Sequence, residues 1–151
     1  MKMKKIILTT VLLAPLFLTV YAQTKKSSVK PTPKTVSGAN ADFNSSLVRG
    51  KVVYSNSCLP CHQADGGGVS NLNPPLIKTT YVLGDKTRLI TILLKGLNQE
   101  IEIDGEIYSN PMPAHNFLTD LQIADVLTYV RNNFGNKASA IAPAQVKVLR
   151  K

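Results

Sequence analysis

The chain has 151 residues, of which 44% are apolar and 18% charged, a composition that sizes it for one folded domain with extensions and excludes a wholly disordered protein. Its formal charge of +9 gathers at the two ends, because residues 43–136 hold seven bases against eight acids; the region expected to fold is near neutral, and basic-patch recognition of nucleic acid loses its support. Aromatic residues make up 6% and Trp is absent, which leaves room for a core filled by something other than aromatic bulk.

The chain opens with Met1-Lys-Met-Lys-Lys5, continues with fifteen mostly apolar residues to Val20, and reaches Val20-Tyr21-Ala22 before Gln23. That order of basic, apolar and small residues predicts a secretory signal peptide over 1–22 and a periplasmic or secreted protein. The rival reading is an uncleaved anchor, the one route by which a membrane would be involved. Fifteen helical residues span about 22 Å against a hydrocarbon core of roughly 30 Å, and Pro15 interrupts them, so cleavage is the expectation. Residues 23–42 are rich in Lys, Ser, Thr and Pro and poor in large apolar groups, and are expected to form a flexible linker.

Asn44, Ser45 or Ser46 can cap a helix running to about Cys58, with Leu47, Gly50 and Tyr54 on one face and Val48 and Val52 beside it. It delivers Cys58, and both cysteines of the chain fall in the run Cys58-Leu59-Pro60-Cys61-His62. A disulfide across two residues would close a tiny loop and staple nothing. A redox dithiol would want a strand before the pair, and zinc would need four ligands where the only other histidine is His115. The histidine directly after the second cysteine instead matches the attachment pattern of c-type haem. Within one helical turn the two sulfurs can reach the two vinyl groups of one haem edge as thioethers, and His62 can bind the iron from the proximal side.

A loop through Gly66-Gly-Gly68 and Asn71-Leu-Asn-Pro-Pro-Leu76 follows, and Asp85 then caps an apolar helix from Arg88 to Leu97, whose end Gly96 weakens. Glu100 to Tyr108 alternates apolar and acidic residues about Asp104-Gly105, which predicts a short hairpin with a solvated acidic edge; the acids lack the spacing of a calcium loop. Met112 is the only methionine beyond residue 3 and lies between Pro111 and Pro113. An isolated methionine usually fills a core, but a soft thioether in a stiff loop suits the sixth position of haem iron, with His115 as the competing ligand. Thr119 with Gln122 forms a capping box for a last core helix to Phe134, with Gly135 and Asn136 as stop residues. Residues 137–151 are expected to be a basic extension, a short helix starting near Ser139 or Pro143, either solvated or a docking element.

Residues 43–136 resemble the class I cytochrome c family, on Cys58-Leu-Pro-Cys-His62, Asn73-Pro-Pro-Leu76, Tyr108, Met112-Pro-Ala114 and the run Leu118 to Gly135. The resemblance implies an all-α fold with three main helices around one covalent haem, ligated by His62 and Met112. It also implies that Gly50 and Tyr54 sit at the crossing of the first and last helices, near Val126 and Tyr129, and that the Pro74 carbonyl accepts the Nδ1 proton of His62, with Pro75 as the alternative. A weaker resemblance of the C-terminal ending, to cytochromes associated with quinoprotein dehydrogenases, implies an upstream dehydrogenase and a downstream oxidase or reductase as redox partners. With both axial positions filled, the expected task is one-electron transfer and not catalysis. The contrasting expectations are a haem enzyme or ligand sensor with a displaceable sixth ligand, and a dithiol oxidoreductase using Cys58 and Cys61.

Overall fold

The architecture was obtained as a computed structural model that describes residues 38–151; the signal segment and nearly all of the linker lie outside the described residues. Six helices and one hairpin follow in order: α1 (Gly38–Ser57), α2 (Leu59–His62), α3 (Thr80–Leu83), α4 (Lys86–Lys95), β1 (Ile101–Ile103), β2 (Glu106–Tyr108), α5 (Asp120–Val130) and α6 (Pro143–Leu149). Among the described residues no helix is long and apolar enough to cross a membrane.

Helix α1 begins at Gly38, inside the stretch expected to be linker and ahead of the caps at 44–46. Once packing has nucleated a helix, residues such as Ala39 and Ala41 extend it at little cost. It buries Gly50, Val53 and Tyr54 against α5, while Val48 and Val52 are 68% and 58% exposed, so the second apolar stripe read from the sequence is outside the core. At the crossing, a Cβ placed on Gly50 would lie 2.1 Å from the Asp125 carbonyl oxygen and 2.7 Å from Tyr129 Cβ. Only a glycine lets the two backbones approach so closely. Arg49 donates to both Asp125 carboxylate oxygens, at 2.6 and 2.9 Å, one residue from that contact. The Tyr54 ring lies 5.5 Å from Tyr129 and 5.2 Å from Phe134, and its hydroxyl donates to the Gln63 carbonyl at 2.6 Å.

Asp85 caps α4 by accepting from Thr87 N at 2.8 Å and Arg88 N at 3.4 Å, so the helix starts two residues before Arg88 and turns Leu89, Ile90, Ile92, Leu93 and Leu94 inward. Helix α3 has no counterpart in the sequence reading, since four residues are too few to show a period; the Thr79 hydroxyl caps it by accepting from Val82 N at 3.2 Å. The antiparallel hairpin pairs Ile101 with Tyr108 and Ile103 with Glu106, turning through Asp104 and Gly105 at φ 52° and 84°. It buries Ile101, Ile103 and Tyr108 and leaves Glu102 and Asp104 in solvent.

The Thr119 and Gln122 capping box starts α5, but the helix stops at Val130 instead of Phe134. Asn133 explains the early stop, because its side-chain oxygen accepts from Phe134 N at 2.8 Å and Phe134 takes φ 55°. That turn lays the Phe134 ring against Tyr54 and Tyr129. The buried Arg131 guanidinium bonds to the carbonyls of Val82, Gly84 and Ser139, joining the end of α3, the end of α5 and the C-terminal segment.

The C-terminal segment forms the short helix expected near Pro143, and its packing corrects the reading of it as a solvated extension. Ile141 is 4% exposed and Val146 fully buried, both in the same apolar cluster as α4 and α5. Ile141 N donates to the Thr128 hydroxyl at 3.0 Å, and Arg150 bonds to Asp120 and to the Asn116 and Leu118 carbonyls. Two apolar residues suffice for this packing, and the flanking bases hide them in a composition count.

Candidate haem site

The cysteine run forms one tight turn directly after α1. Cys58 N bonds to the Tyr54 carbonyl at 2.9 Å, and the Cys58 carbonyl accepts from Cys61 N at 3.2 Å and His62 N at 2.9 Å, with Pro60 in the first turn of α2 where a missing N–H costs nothing. The two cysteines are not bridged to each other, Cys58 being half-buried and Cys61 exposed. His62 is buried, and its Nδ1 lies 3.0 Å from the Pro74 carbonyl oxygen, as the resemblance implied. A carbonyl only accepts, so Nδ1 carries the proton and the Nε2 lone pair is left for the cleft. Burial lowers the imidazole's proton affinity, the Pro74 bond opposes that, and the charge of nearby His115 adds to it. The loop that presents Pro74 is folded on itself through Gly68 N to the His62 carbonyl (3.1 Å), Val69 N to Asn73 O (2.8 Å) and Leu76 N to Gly66 O (2.7 Å).

Met112 is held by its backbone. Its N–H donates to the Leu97 carbonyl and its carbonyl accepts from Leu97 N, both at 2.9 Å. Gly96 makes this possible, at φ 78° and with a virtual Cβ only 2.6 Å from Met112 O; where the sequence suggested a weak helix end, the structure has a cap that seats the methionine segment. His115 Nδ1 lies 2.9 Å from the Pro113 carbonyl and Nε2 lies 3.3 Å from that of Ser57. Each ring nitrogen faces a carbonyl oxygen, and a neutral imidazole, with one N–H, donates to only one of them, whereas the Met112 thioether has no such competing contact.

His62, Met112 and Cys58 together line two adjoining, largely apolar clefts. Leu89 and Leu93 of α4, Val126 and Val130 of α5, and Ile101 of β1 build the deeper walls. Cys61 joins Cys58 on the lining of the second cleft. An apolar slot with two thiols beside it, a buried imidazole with its distal nitrogen free and a thioether on the same lining fits a covalently attached haem.

The alternatives fare worse. Burial, and then the charge of Cys61, push the Cys58 thiol up to about 11, the reverse of the lowered value a redox dithiol needs, and a helix instead of a strand precedes the pair. Among the described residues no three His, Cys, Asp or Glu side chains gather as a metal-binding group, which leaves zinc without a ligand set. Sequence reasoning missed Gly96, the Ser57 carbonyl and Glu106, whose roles are set by partners far along the chain; the glycine at a helix end was the one available signal.

Comparison with known proteins agrees with this geometry. The family model for Cytochrome c matches residues 47–134. Cytochrome c-552 of Thermus thermophilus is 31% identical over 108 residues, covering 68% of this chain and 82% of that protein. The cytochrome c subunit of the quinone alcohol dehydrogenase of Gluconacetobacter polyoxogenes is 32% identical over 120 residues, covering 73% of this chain and 24% of the subunit. The gluconate 2-dehydrogenase cytochrome c subunit of Pantoea cypripedii is 38% identical over 106 residues, covering 68% of this chain and 24% of the subunit. The chain thus spans about a quarter of the length of these dehydrogenase subunits.

Proposed function

Because this chain belongs to the cytochrome c family, and so carries a covalent c-type haem and transfers electrons, we propose that it is an exported single-haem carrier with His62 and Met112 as axial ligands, accepting electrons from a dehydrogenase and passing them to an oxidase or reductase. The bound haem supplies reversible one-electron chemistry. Cys58 and Cys61 hold it as thioethers. His62 is oriented by the Pro74 carbonyl, which fixes its tautomer and strengthens Nε2 as a donor. Met112 is held by Leu97 and Gly96, and the walls from α4, α5 and β1 exclude water, which with methionine ligation raises the reduction potential.

The observation that carries the reading is that His62, with Nδ1 committed to Pro74, and Met112 line the same clefts beside Cys58 and Cys61. If His62 and Met112 both hold the iron, the haem would offer no position to a substrate, which favours a carrier over an enzyme. A dehydrogenase donor is suggested by the names of the relatives, and export by residues 1–22. The test is the visible spectrum of protein matured in cells competent for haem attachment, before and after acidic organic extraction. Retained haem with the ferric methionine charge-transfer band is the expected result, and Met112→Ala should abolish the band while the haem stays attached. Retained haem without the band in the parent protein would move the sixth position to His115 or leave it open, as in a haem enzyme or sensor.

A further inference from the structure

Of the four acids of the hairpin region, Glu106 alone is engaged. Its Oε1 accepts from the Ser70 hydroxyl and, at 3.0 Å, from Asn71 N, while Oε2 accepts from the Tyr108 hydroxyl at 2.8 Å. Glu100, Glu102 and Asp104 are exposed. The two oxygens of one carboxylate therefore face two different pieces of chain, the loop after the cysteine run and the hairpin that leads to Met112. Three further bonds continue the seam: Ser109 Oγ to Asn71 O at 3.3 Å, Asn110 N to Leu72 O at 3.2 Å, and Asn110 Nδ2 to Asn73 Oδ1 at 3.2 Å. The seam ends one residue from Pro74, which orients His62, and two residues from Met112. Glu106 is its only ionised member, and bonds to an ionised acceptor are the stronger kind. A carboxylate so placed has no part in filling the core, since Ile101, Ile103 and Tyr108 do that from the same hairpin.

We propose that Glu106 is a positioning residue that fastens the loop carrying Pro74 to the hairpin carrying Met112, so that the supports of the two axial ligands move as one body. This rests on Met112 being the sixth ligand. With the strap intact, the methionine segment cannot swing out without also breaking charged bonds to Ser70 and Asn71. The three donors also hold the Glu106 carboxyl below its ordinary range, the largest effect coming from Ser70, so it stays ionised throughout the neutral range.

The experiment compares Glu106→Ala with Glu102→Ala, an identical charge change at an exposed position of the same hairpin, in the haem-loaded full chain. Two readouts are followed: the charge-transfer band as pH is raised, and amide hydrogen exchange at Asn71, Asn110 and α5. Glu106→Ala should shift the opening equilibrium of the methionine loop about fivefold, at the low end for a charged hydrogen bond because solvent reaches the carboxylate. The band then disappears at lower pH, exchange speeds up at Asn71 and Asn110, and α5 stays as protected as before. Glu102→Ala should change neither readout. Equal behaviour of the two variants, or loosening spread evenly into α5, would overturn the proposal. Should Glu106→Ala fail to fold, Ser70→Ala removes one donor from the opposite loop and must reproduce part of the shift. Absence of the band from the parent protein would refute methionine ligation, and the exchange pattern would then judge the strap by itself.

Discussion

Replacing Gly50 with alanine sets two effects of opposite sign against each other. Within a helix, alanine is favoured over glycine by about 1 kcal/mol, so on propensity alone the substitution stabilises α1. The new methyl, however, would stand 2.1 Å from the Asp125 carbonyl oxygen and 2.7 Å from Asp125 C and Tyr129 Cβ, where ordinary contact begins at 3.4 Å. The obstacle is backbone and cannot rotate away, so α1 and α5 must part by about 1 Å, an overpacking whose usual cost is about 1–3 kcal/mol and here lies at the upper end. Parting the helices also stretches the Arg49 and Asp125 bonds and loosens the Tyr54, Tyr129 and Phe134 cluster. The steric term wins by about 2 kcal/mol, and for a domain of this size Tm should fall by about 8 °C. Thermal unfolding of the haem-loaded protein, followed by far-UV circular dichroism, measures it, with Val48→Ala on the solvent face of α1 as a control expected to stay within about 0.5 kcal/mol. A Tm for Gly50→Ala at or above that of the parent would refute the crossing geometry.

Three further outcomes are expected. Gly96→Ala, which forces a side chain into φ 78° against Met112 O, should leave the helices formed yet weaken the charge-transfer band; a band of parental intensity and pH stability would count against the seat described for Met112. Val146→Ala should cost about 2 kcal/mol by denaturant unfolding, whereas a solvated tail would give no change. Glu106 makes an acid-linked contribution whose sign is fixed by its lowered native pKa: as pH falls, the unfolded chain, near 4.5, takes up the proton first, so the contribution is complete above about 4.5 and lost as pH drops through the lower native value. Glu106→Gln should flatten that part of the acid-unfolding curve, and an unaltered curve would deny the linkage.

The parts of this molecule legible in the sequence are those whose chemistry is local. Cys58, Cys61 and His62 sit within five residues, and their spacing alone carries the attachment logic. Asp85 and Thr119 announce their helices because a cap bonds to amides two or three residues away. The hairpin shows through its alternation about Asp104-Gly105. What escaped depends on distant partners. The buried face of α1 is selected by α5, so Val48 and Val52 read as an apolar stripe beside Leu47, Gly50 and Tyr54 although the crossing leaves them in solvent. Gly96 looked like a weak helix end because the carbonyl it accommodates belongs to Met112. Residues 137–151 looked dispensable because Ile141 and Val146 find their neighbours on α4 and α5. Glu106 looked like one more solvated acid because its donors lie 35 and 36 residues back.

On the proposed ligation, the separation of the two ligand supports along the chain implies an order of assembly. His62 and Pro74 are 12 residues apart, and the stretch from Tyr54 to Leu76 is knit by its own backbone bonds, so the thiols and the imidazole are presented by a segment that closes on itself. Met112 must be brought back across some fifty residues, and closing that longer loop costs about 1 kcal/mol more in chain entropy. The cysteine turn is therefore expected to be ready for attachment before the methionine side closes, and under stress the methionine side is expected to let go first while the thioethers keep the cofactor in place for refolding.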